Sequence, residues 1–160
     1  DLQAAGLKGK PKVGHSTSEA VKTIENFLGW NNRSDAFLVG AGNLGSALLG
    51  YNGFEKTGVK IVAAFDANPD LIGTKINGIE VFPIQKLTDL AVRMHIKIGI
   101  ITCPGDEAQS VANTLIVSGV KAIWNFTPVK LYLPEGIISE HTELYSSLAV
   151  ISQKLTGDQQ

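Results

Sequence analysis

The chain has 160 residues, of which 44% are hydrophobic and 18% are charged, and this predicts one globular domain with its own core. Its 14 basic and 15 acidic residues leave a formal net charge of -1, which excludes a bulk attraction to polyanions. Any contact with nucleic acid would therefore need a local basic patch.

The single cysteine, Cys103, excludes an internal disulfide framework and fits a reducing compartment. The sequence has no apolar run long enough to span a bilayer and no leader of the signal-peptide type. We therefore expect a soluble cytoplasmic protein without a membrane partner. The histidines His15, His95 and His141 are scattered without ligand spacing, so we expect no metal site.

The first predicted element is a short amphipathic helix that follows a start rich in glycine and lysine. Val21, Ile24 and Leu28 recur on one helical face after a capping-box residue at Ser16. Gly29 marks the end of this helix.

Four apolar runs without alternation come next, as is typical of strands buried on both faces of a parallel sheet. They are residues 36–39, 59–65, 98–101 and 122–126. Helical patterns separate them, and the clearest covers residues 106–118, with acids in its first turn and a glycine just past its end. Strands alternating with helices predict a doubly wound, mostly parallel α/β sheet with right-handed crossovers.

A glycine motif lies in the stretch FLVGAGNLGSALLGY, between the first two predicted strands. Gly40 would allow a tight turn, Gly42 would let a pyrophosphate approach backbone amides, and Gly45 would let the following helix pack on the sheet. Asp66 ends the next strand, where its carboxylate would accept hydrogen bonds from an adenosine ribose and repel a phosphate on that ribose. The alternative is a glycine-rich turn beside an Asp that only caps its own turn.

Two other predicted strands end beside the same crevice, because ligands of open α/β sheets bind beyond the carboxyl ends of the strands. Their end residues, which would reach the nicotinamide half of a dinucleotide, are Thr102, Cys103 and Pro104 on one strand, and Asn125, Phe126, Thr127 and Pro128 on the other. Cys103 is predicted to be a small buried hydrophobe rather than a reactive thiol, since no cation is evident nearby. Asn125 and Thr127 either close a loop or recognise an amide, and the sequence leaves both open.

Four segments together resemble the C-terminal NAD(H)-binding domain of the Rex family, the bacterial redox-sensing transcriptional repressors. They are DAFLVGAGNLGSALLGYNGF, VKIVAAFDANPDLIGTKINGIEVFPIQKL, IGIITCPGDEAQSVANTLIVSGVKAIWNFTPVKLYLPEGI and ELYSSLAVISQKL. The resemblance covers nearly the whole chain. It implies a Rossmann-like fold, a homodimer, no enzymatic activity, and a winged-helix module that binds operator DNA until NADH releases it, with NAD+ competing weakly.

The resemblance also implies a set of residues that bind the cofactor NAD(H). They are Gly40, Ala41, Gly42, Asn43, Leu44, Gly45, Tyr51, Asp66, Thr102, Cys103, Pro104, Asn125 and Phe126. Tyr51 would lie near the nicotinamide and couple its redox state to the dimer geometry. The alternative is that Tyr51 closes its helix against the following NGF. Glu143 stands where the family's terminal helix usually follows an Asp.

Three parts of the chain follow from the resemblance. Residues 1–15 would be a wing or linker remaining from the winged-helix module, residues 16–141 the NAD(H)-binding domain, and residues 142–160 a dimerisation helix with its tail. A small basic cluster in the first part would contact DNA phosphates, or it is simply a solvated turn. This cluster consists of Lys8, Lys10 and Lys12.

The terminal segment carries one narrow apolar stripe over residues 142–155. Its members, spaced four, three and four positions apart, are Leu144, Leu148, Ile151 and Leu155. Such a stripe packs against another element. That element is either the chain's own sheet or, as the resemblance implies, the partner subunit, into which the helix would swap.

The alternative function is an enzyme built on the same sheet, either an NAD-dependent oxidoreductase or the CoA-binding domain of a ligase-like enzyme. Hydride transfer to a carbonyl needs a general acid near the nicotinamide, and a substrate carboxylate needs an arginine. Neither is evident around residues 102–107 or 125–130. We therefore expect a dinucleotide-sensing regulatory domain that is not an enzyme.

Overall fold

The computed structural model describes residues 34–158. The predicted helix over residues 16–29, the proposed wing over residues 1–15 and its basic cluster all lie outside the described residues. The chain divides into two compact units, Asp1–Ser34 with Asn52–Lys60, and Asp35–Tyr51 with Ile61–Gln160.

The described part of the first unit is built around a short 3-10 helix, Asn52–Thr57. The Thr57 hydroxyl donates to the Phe54 carbonyl at 2.6 Å, and the Gly58 N–H donates to the Glu55 carbonyl at 3.2 Å. The Gly58 carbonyl then accepts from the Ser34 N–H at 2.6 Å. These bonds fix the chain between the helix and the strand that follows it.

The strands of the described chain are β1 (Ser34–Val39), β2 (Val59–Asp66), β3 (Lys75–Ile76), β4 (Ile79–Pro83), β5 (Ile98–Ile101), β6 (Ala122–Asn125) and β7 (Ile138–His141). They form one sheet of seven strands, counted over the described residues, in the order β3-β4-β2-β1-β5-β6-β7. The pairs β1–β5, β2–β4, β5–β6 and β6–β7 are parallel, whereas β3–β4 is antiparallel. The prediction of a mostly parallel, Rossmann-like α/β sheet is confirmed.

The helices of the described chain are α1 (Asn43–Leu49), α2 (Leu87–Arg93), α3 (Gly105–Val117) and α4 (Leu144–Asp158), with a 3-10 turn at Ile84–Lys86. Helix α3 lies within one residue of its predicted bounds. Asp106 and Glu107 lie in its first turn, where the positive end of the helix dipole stabilises their negative charges. Gly119 follows the end of the helix with φ +103°.

The central strands are buried because each carries apolar side chains on both faces. Phe37 and Phe65 are fully buried, with ring centroids 4.8 Å apart. A Cβ at Gly99 would lie 2.7 Å from the Leu115 Cδ1, so α3 packs directly on β5. The strand order β2-β1-β5 places the carboxyl ends of these three strands side by side.

The segment between β6 and β7 is pinned to α3 by one side chain. The amide of Gln109 donates to the Tyr132 carbonyl at 3.0 Å and accepts from the Tyr132 N–H at 2.8 Å.

Strand β6 itself ends at Asn125, one residue before the predicted end, so Phe126 lies just beyond the strand.

Candidate functional site

Gly40 begins the loop between β1 and α1 in a conformation that favours glycine, with φ at +108°. A Cβ there would lie 2.5 Å from the Cys103 nitrogen, so a side chain would collide with the backbone after β5. The Gly40 N–H donates to the Phe65 carbonyl at 2.8 Å. The first glycine therefore sits at the junction of three strand ends.

Gly42 precedes α1 and faces open space. Apart from Gly42 and its two chain neighbours, no atom of the described residues lies within 4 Å of a Cβ built at this position. No described side chain caps the helix, and its first turn contains no acid. The backbone amides that follow Gly42 thus have neither a covering side chain nor a negative charge within their own turn.

Gly45 is the point at which α1 touches the loop. A Cβ there would overlap the Gly40 carbonyl oxygen and would lie 3.0 Å from the Thr102 Oγ1. The Thr102 hydroxyl donates to the Gly40 carbonyl at 2.6 Å. The three glycines therefore have different roles, as the motif predicts. Gly40 allows a tight turn, Gly42 leaves an open approach to the backbone, and Gly45 allows close packing of α1.

Asp66 ends β2 and is hydrogen-bonded on both carboxylate oxygens. Its Oδ2 accepts from the Ala41 N–H at 2.7 Å, and its Oδ1 accepts from the Asn68 N–H at 2.8 Å. Asp66 therefore caps its own turn, as the alternative interpretation held, but it also holds the glycine-rich loop. Two carboxylate oxygens offer about four acceptor sites, so capacity remains for a ligand hydroxyl.

A cavity of about 370 Å³ lies beside this loop, at the carboxyl ends of β1, β2 and β5. Its lining contains the acids Asp66, Asp106 and Glu107 and, within the described part of the chain, no lysine, arginine or histidine. The full lining is Val39, Gly40, Phe65, Asp66, Ala67, Ile84, Cys103, Pro104, Asp106, Glu107, Ser110 and Val111. Four of the predicted site residues meet here: Gly40, Asp66, Cys103 and Pro104.

Cys103 is a buried free cysteine, as the sequence predicts. Burial raises the pKa of its thiol to about 11, and the negative charge of Glu107 adds to this effect. The thiolate is the nucleophilic form of cysteine, and it is scarce at neutral pH here. The residue lines the cavity as a small apolar surface.

Asn125 and Thr127 close a loop after β6. The Asn125 amide donates to the Val129 carbonyl at 2.8 Å, and its oxygen accepts from the Thr127 N–H at 2.9 Å and the Thr127 hydroxyl at 2.7 Å. Both side chains are buried. Of the two interpretations left open by the sequence, the structure displays loop closure.

A second cavity, of about 420 Å³, lies beyond β6 and β7. It is lined by Asn125, Pro128, Lys130, Leu131, Leu133, Ser139, Glu140, His141 and Glu143. The His141 Nε2 lies 2.8 Å from the Thr127 carbonyl, so this histidine has a structural partner. Glu143, at the predicted start of the terminal helix, lies on the wall of this cavity.

The remaining predicted residues line neither cavity. Phe126 stacks on Trp124, with ring centroids 4.5 Å apart, and Tyr51 follows α1 with 59% of its surface exposed. Asn43 and Leu44 lie in the first turn of α1. Over residues 34–158, no group of three or more His, Cys, Asp or Glu is arranged to hold a metal ion, and no helix is long and apolar enough to cross a membrane.

Several cavity residues were missed at the level of sequence. Ala67 and Ile84 follow strand ends, and Ser110 and Val111 lie one turn into α3. The strand-end rule contains the signal for Ala67, because ligands bind beyond the carboxyl ends of strands. Nothing in the sequence indicates which face of α3 borders the cavity rather than the core.

Helix α4 is exposed along its described side chains. The exposed fractions are 61% for Leu148, 58% for Ile151 and 59% for Leu155. For these three residues, the alternative that the stripe packs on the chain's own sheet is wrong. Their apolar surface is left open in the single chain.

Comparisons with known proteins agree with this geometry. Residues 31–129 match the family described as "CoA binding domain", so this segment belongs to that family. The redox-sensing transcriptional repressor Rex of Porphyromonas gingivalis is 41% identical over 155 residues, which cover 97% of this chain and 71% of that relative.

Two crystal structures of RSP, a Rex-family repressor, are also similar. The complex with β-NADH has a TM-score of 0.73 at 38% identity, covering 89% of this chain and 69% of RSP. The complex with β-NAD+ and operator DNA has a TM-score of 0.76 at 37% identity, covering 99% and 73%. These relatives are transcriptional repressors, not enzymes. The resemblance seen in the sequence is thus confirmed, and the chain belongs to the Rex family of redox-sensing transcriptional repressors.

Proposed function

We propose that this chain binds NADH and NAD+ in the crevice formed by the loop over residues 40–45 and the cavity beside Asp66. The observation that carries the proposal is the open approach at Gly42 next to a strand-end acid. The RSP structures, which contain β-NADH in one case and β-NAD+ in the other, support it.

The adenosine half would occupy the acidic cavity. Ile84 and Val111 offer apolar surface for the adenine, and the free acceptor sites of Asp66 would take the ribose hydroxyls. The pyrophosphate would lie on the amides after Gly42. A cavity of about 370 Å³ is within the range of small-molecule sites.

The acids of the cavity favour NAD(H) over nucleotides with a phosphate on the adenosine ribose. NADP(H) carries such a phosphate at the 2′ position and CoA at the 3′ position, and either would face Asp66, Asp106 and Glu107 without a basic residue in the described lining. This repulsion argues that the segment matching the CoA-binding family serves a different nucleotide here.

The nicotinamide half would lie toward Thr102, Cys103, Pro104, Asn125 and Phe126, with Tyr51 near the ring. The side-chain bonds of Thr102 and Asn125 already hold the chain after β5 and β6. We therefore assign these two a shaping role and Phe126 direct contact with the ring, while Cys103 and Pro104, which also line the acidic cavity, would lie where the two halves of the dinucleotide meet.

We further propose the division of the chain into a wing or linker (1–15), an NAD(H)-binding domain (16–141) and a dimerisation helix with its tail (142–160). Operator DNA would be bound through a winged-helix module, with Lys8, Lys10 and Lys12 on phosphates, in the cytoplasm where the NADH pool is sensed. The RSP complex with operator DNA supports this.

The dimer we propose is a homodimer in which α4 packs on the partner subunit. The exposed stripe supports it, because exposed apolar side chains at helical spacing mark an interaction surface. Helix α4 begins two residues after Thr142, whose hydroxyl accepts from the Trp124 Nε1 at 2.9 Å. The start of the helix is therefore tied to β6, beside the proposed nicotinamide residues.

Calorimetric titration with NADH, NAD+, NADPH and CoA tests this function. We expect saturable binding of NADH and NAD+, and much weaker binding of the other two. Tighter binding of CoA than of NADH would overturn the assignment.

A further inference from the structure

We propose that Ser46 is a positioning residue for dinucleotide binding, because Ser46 and Asp66 together clamp Ala41 by its carbonyl and its N–H, and so hold the peptide units on both sides of this residue. This inference rests on the proposed function. It adds a residue that neither the glycine motif nor the lining of the cavity includes.

The clamp consists of two hydrogen bonds to one residue. The Ser46 hydroxyl donates to the Ala41 carbonyl at 3.0 Å, and the Ala41 N–H donates to the Asp66 Oδ2 at 2.7 Å. Ala41 is only 1% exposed and both bonds are partly buried, so water competes with them less than it would at the surface. The Ser46 N–H also donates to the Gly42 carbonyl at 2.8 Å, which begins the regular helix.

The clamp matters because Ala41 lies between two glycines. Glycine has the widest choice of backbone angles, so a loop with glycines at 40 and 42 loses much conformational entropy when it is fixed. Gly40 is restrained by the backbone of Cys103 and by its bond to Phe65, whereas Gly42 faces open space. Restraint on the entry to α1 therefore falls on the two peptide units that flank Ala41.

The orientation of the Ala41–Gly42 peptide unit, whose carbonyl accepts from Ser46, decides where the next amides point. An anion-binding turn is effective when its N–H groups are aimed before the ligand arrives, because the ordering cost is then already met. Ser46 would act on the part of the ligand that carries the pyrophosphate. It would have no effect on the adenosine, which by the proposed function would lie in the acidic cavity, since Ser46 is not among the residues that line it.

The test compares Ser46→Ala with the wild type and with two further variants. Ser46→Thr keeps the hydroxyl. Thr74→Val removes a similar short bond, from the Thr74 hydroxyl to the Leu71 carbonyl at 2.6 Å, in an exposed turn outside both cavities. Affinities are measured for NADH, ADP-ribose and adenosine, and amide hydrogen exchange over residues 42–45 is measured in the free proteins.

We expect Ser46→Ala to weaken the binding of NADH and of ADP-ribose about threefold to tenfold, the usual effect of one intramolecular hydrogen bond. The affinity for adenosine should stay unchanged. Exchange over residues 42–45 should quicken in the same variant. Ser46→Thr should restore both, and Thr74→Val should change neither.

Unchanged exchange over residues 42–45 in Ser46→Ala would overturn the clamp whatever the ligand results are. An equal loss for adenosine and ADP-ribose would also overturn it, since that result would mean general destabilisation. A wild-type protein that does not bind NADH would instead contradict the proposed function.

Discussion

The Asp66 Oδ2 lies 2.7 Å from the Ala41 nitrogen, so the acid that ends the second strand holds the loop that follows the first. One carboxylate therefore joins the two features by which the dinucleotide site is predicted. A substitution at Asp66 should act on the loop and on the choice of nucleotide together.

Asp66→Asn should weaken NADH binding and narrow the preference for NADH over NADPH. Two unit charges about 4 Å apart repel by roughly 4 kcal/mol at an effective dielectric constant near 20, and solvent screening lowers this value at a partly exposed residue such as Asp66. Asn also offers one oxygen to two backbone donors, so the loop loses a partner. Titration of both proteins with the four nicotinamide dinucleotides measures the change. Equal affinity of the wild type for NADPH and NADH would refute the electrostatic account.

Gly42→Val should leave the fold intact and abolish NADH binding. The backbone at Gly42 has φ −73°, which valine adopts readily, and the space around it is open. The added side chain would stand where the pyrophosphate approaches. Thermal unfolding and an NADH titration of the same sample separate the two effects. A folded Gly42→Val protein with wild-type affinity would mean that this glycine serves only the turn.

Gly40→Ala is the counterpart that should lose stability. Its φ of +108° and the 2.5 Å approach to the Cys103 nitrogen leave no room for a Cβ. We expect a loss on the order of 1–3 kcal/mol in the free energy of unfolding, as is usual for strained backbone positions. Urea unfolding of Gly40→Ala beside Gly42→Ala measures it, and equal stability of the two variants would contradict the close packing.

The free energy of unfolding should fall between about pH 9 and pH 11 because of Cys103. Its pKa rises from 9.0 to about 11 on folding, so the folded state holds a proton that the unfolded state releases in this range. The contribution is complete below pH 9 and disappears as the pH passes the folded value. Urea unfolding at pH 8 and pH 10.5 should show a smaller fall for Cys103→Ala than for the wild type. An identical fall in both would assign the pH dependence to other groups.

Charged substitutions on the α4 stripe should break the proposed homodimer. Leu148→Glu with Ile151→Glu places charges on the exposed apolar face, whereas Val150→Glu, 49% exposed, adds a charge away from the stripe. Four buried side chains would contribute on the order of 6 to 12 kcal/mol before the costs of association. Light scattering should find a monomer for the double variant and a dimer for Val150→Glu. A monomeric wild type would refute the swap.

The strands that could be predicted from the sequence are those whose burial leaves a continuous apolar run. Strand β5, the sequence IGII, lies within its predicted bounds because both of its faces are covered. Strand β7, the sequence ISEH, was not predicted, since all four residues are exposed at the edge and carry no apolar period. The β3–β4 hairpin turns at Asn77 and Gly78, both with positive φ. An Asn-Gly pair is typical of such a turn, so this hairpin was predictable from the sequence.

The sequence predicted the motif of the candidate site but not the hydrogen bonds that hold it. Glycine spacing and the strand-end acid are local patterns, so they could be identified along the chain. The bonds from Asp66 and Ser46 to Ala41 depend on how two strands and a helix meet. Likewise, the sequence left open whether Asn125 recognises a ligand amide or closes a loop. Only the positions of Thr127 and Val129, which show the loop closure, distinguish the two roles.

The most direct test of NAD(H) binding at the glycine-rich loop is a backbone amide NMR titration of this 17.0 kDa chain with NADH. We predict saturable shifts that are largest at residues 42–45 and 66–67, with smaller shifts after β5 and β6. Shifts confined to the second cavity around Lys130 and His141, or no saturable shift at all, would contradict the account.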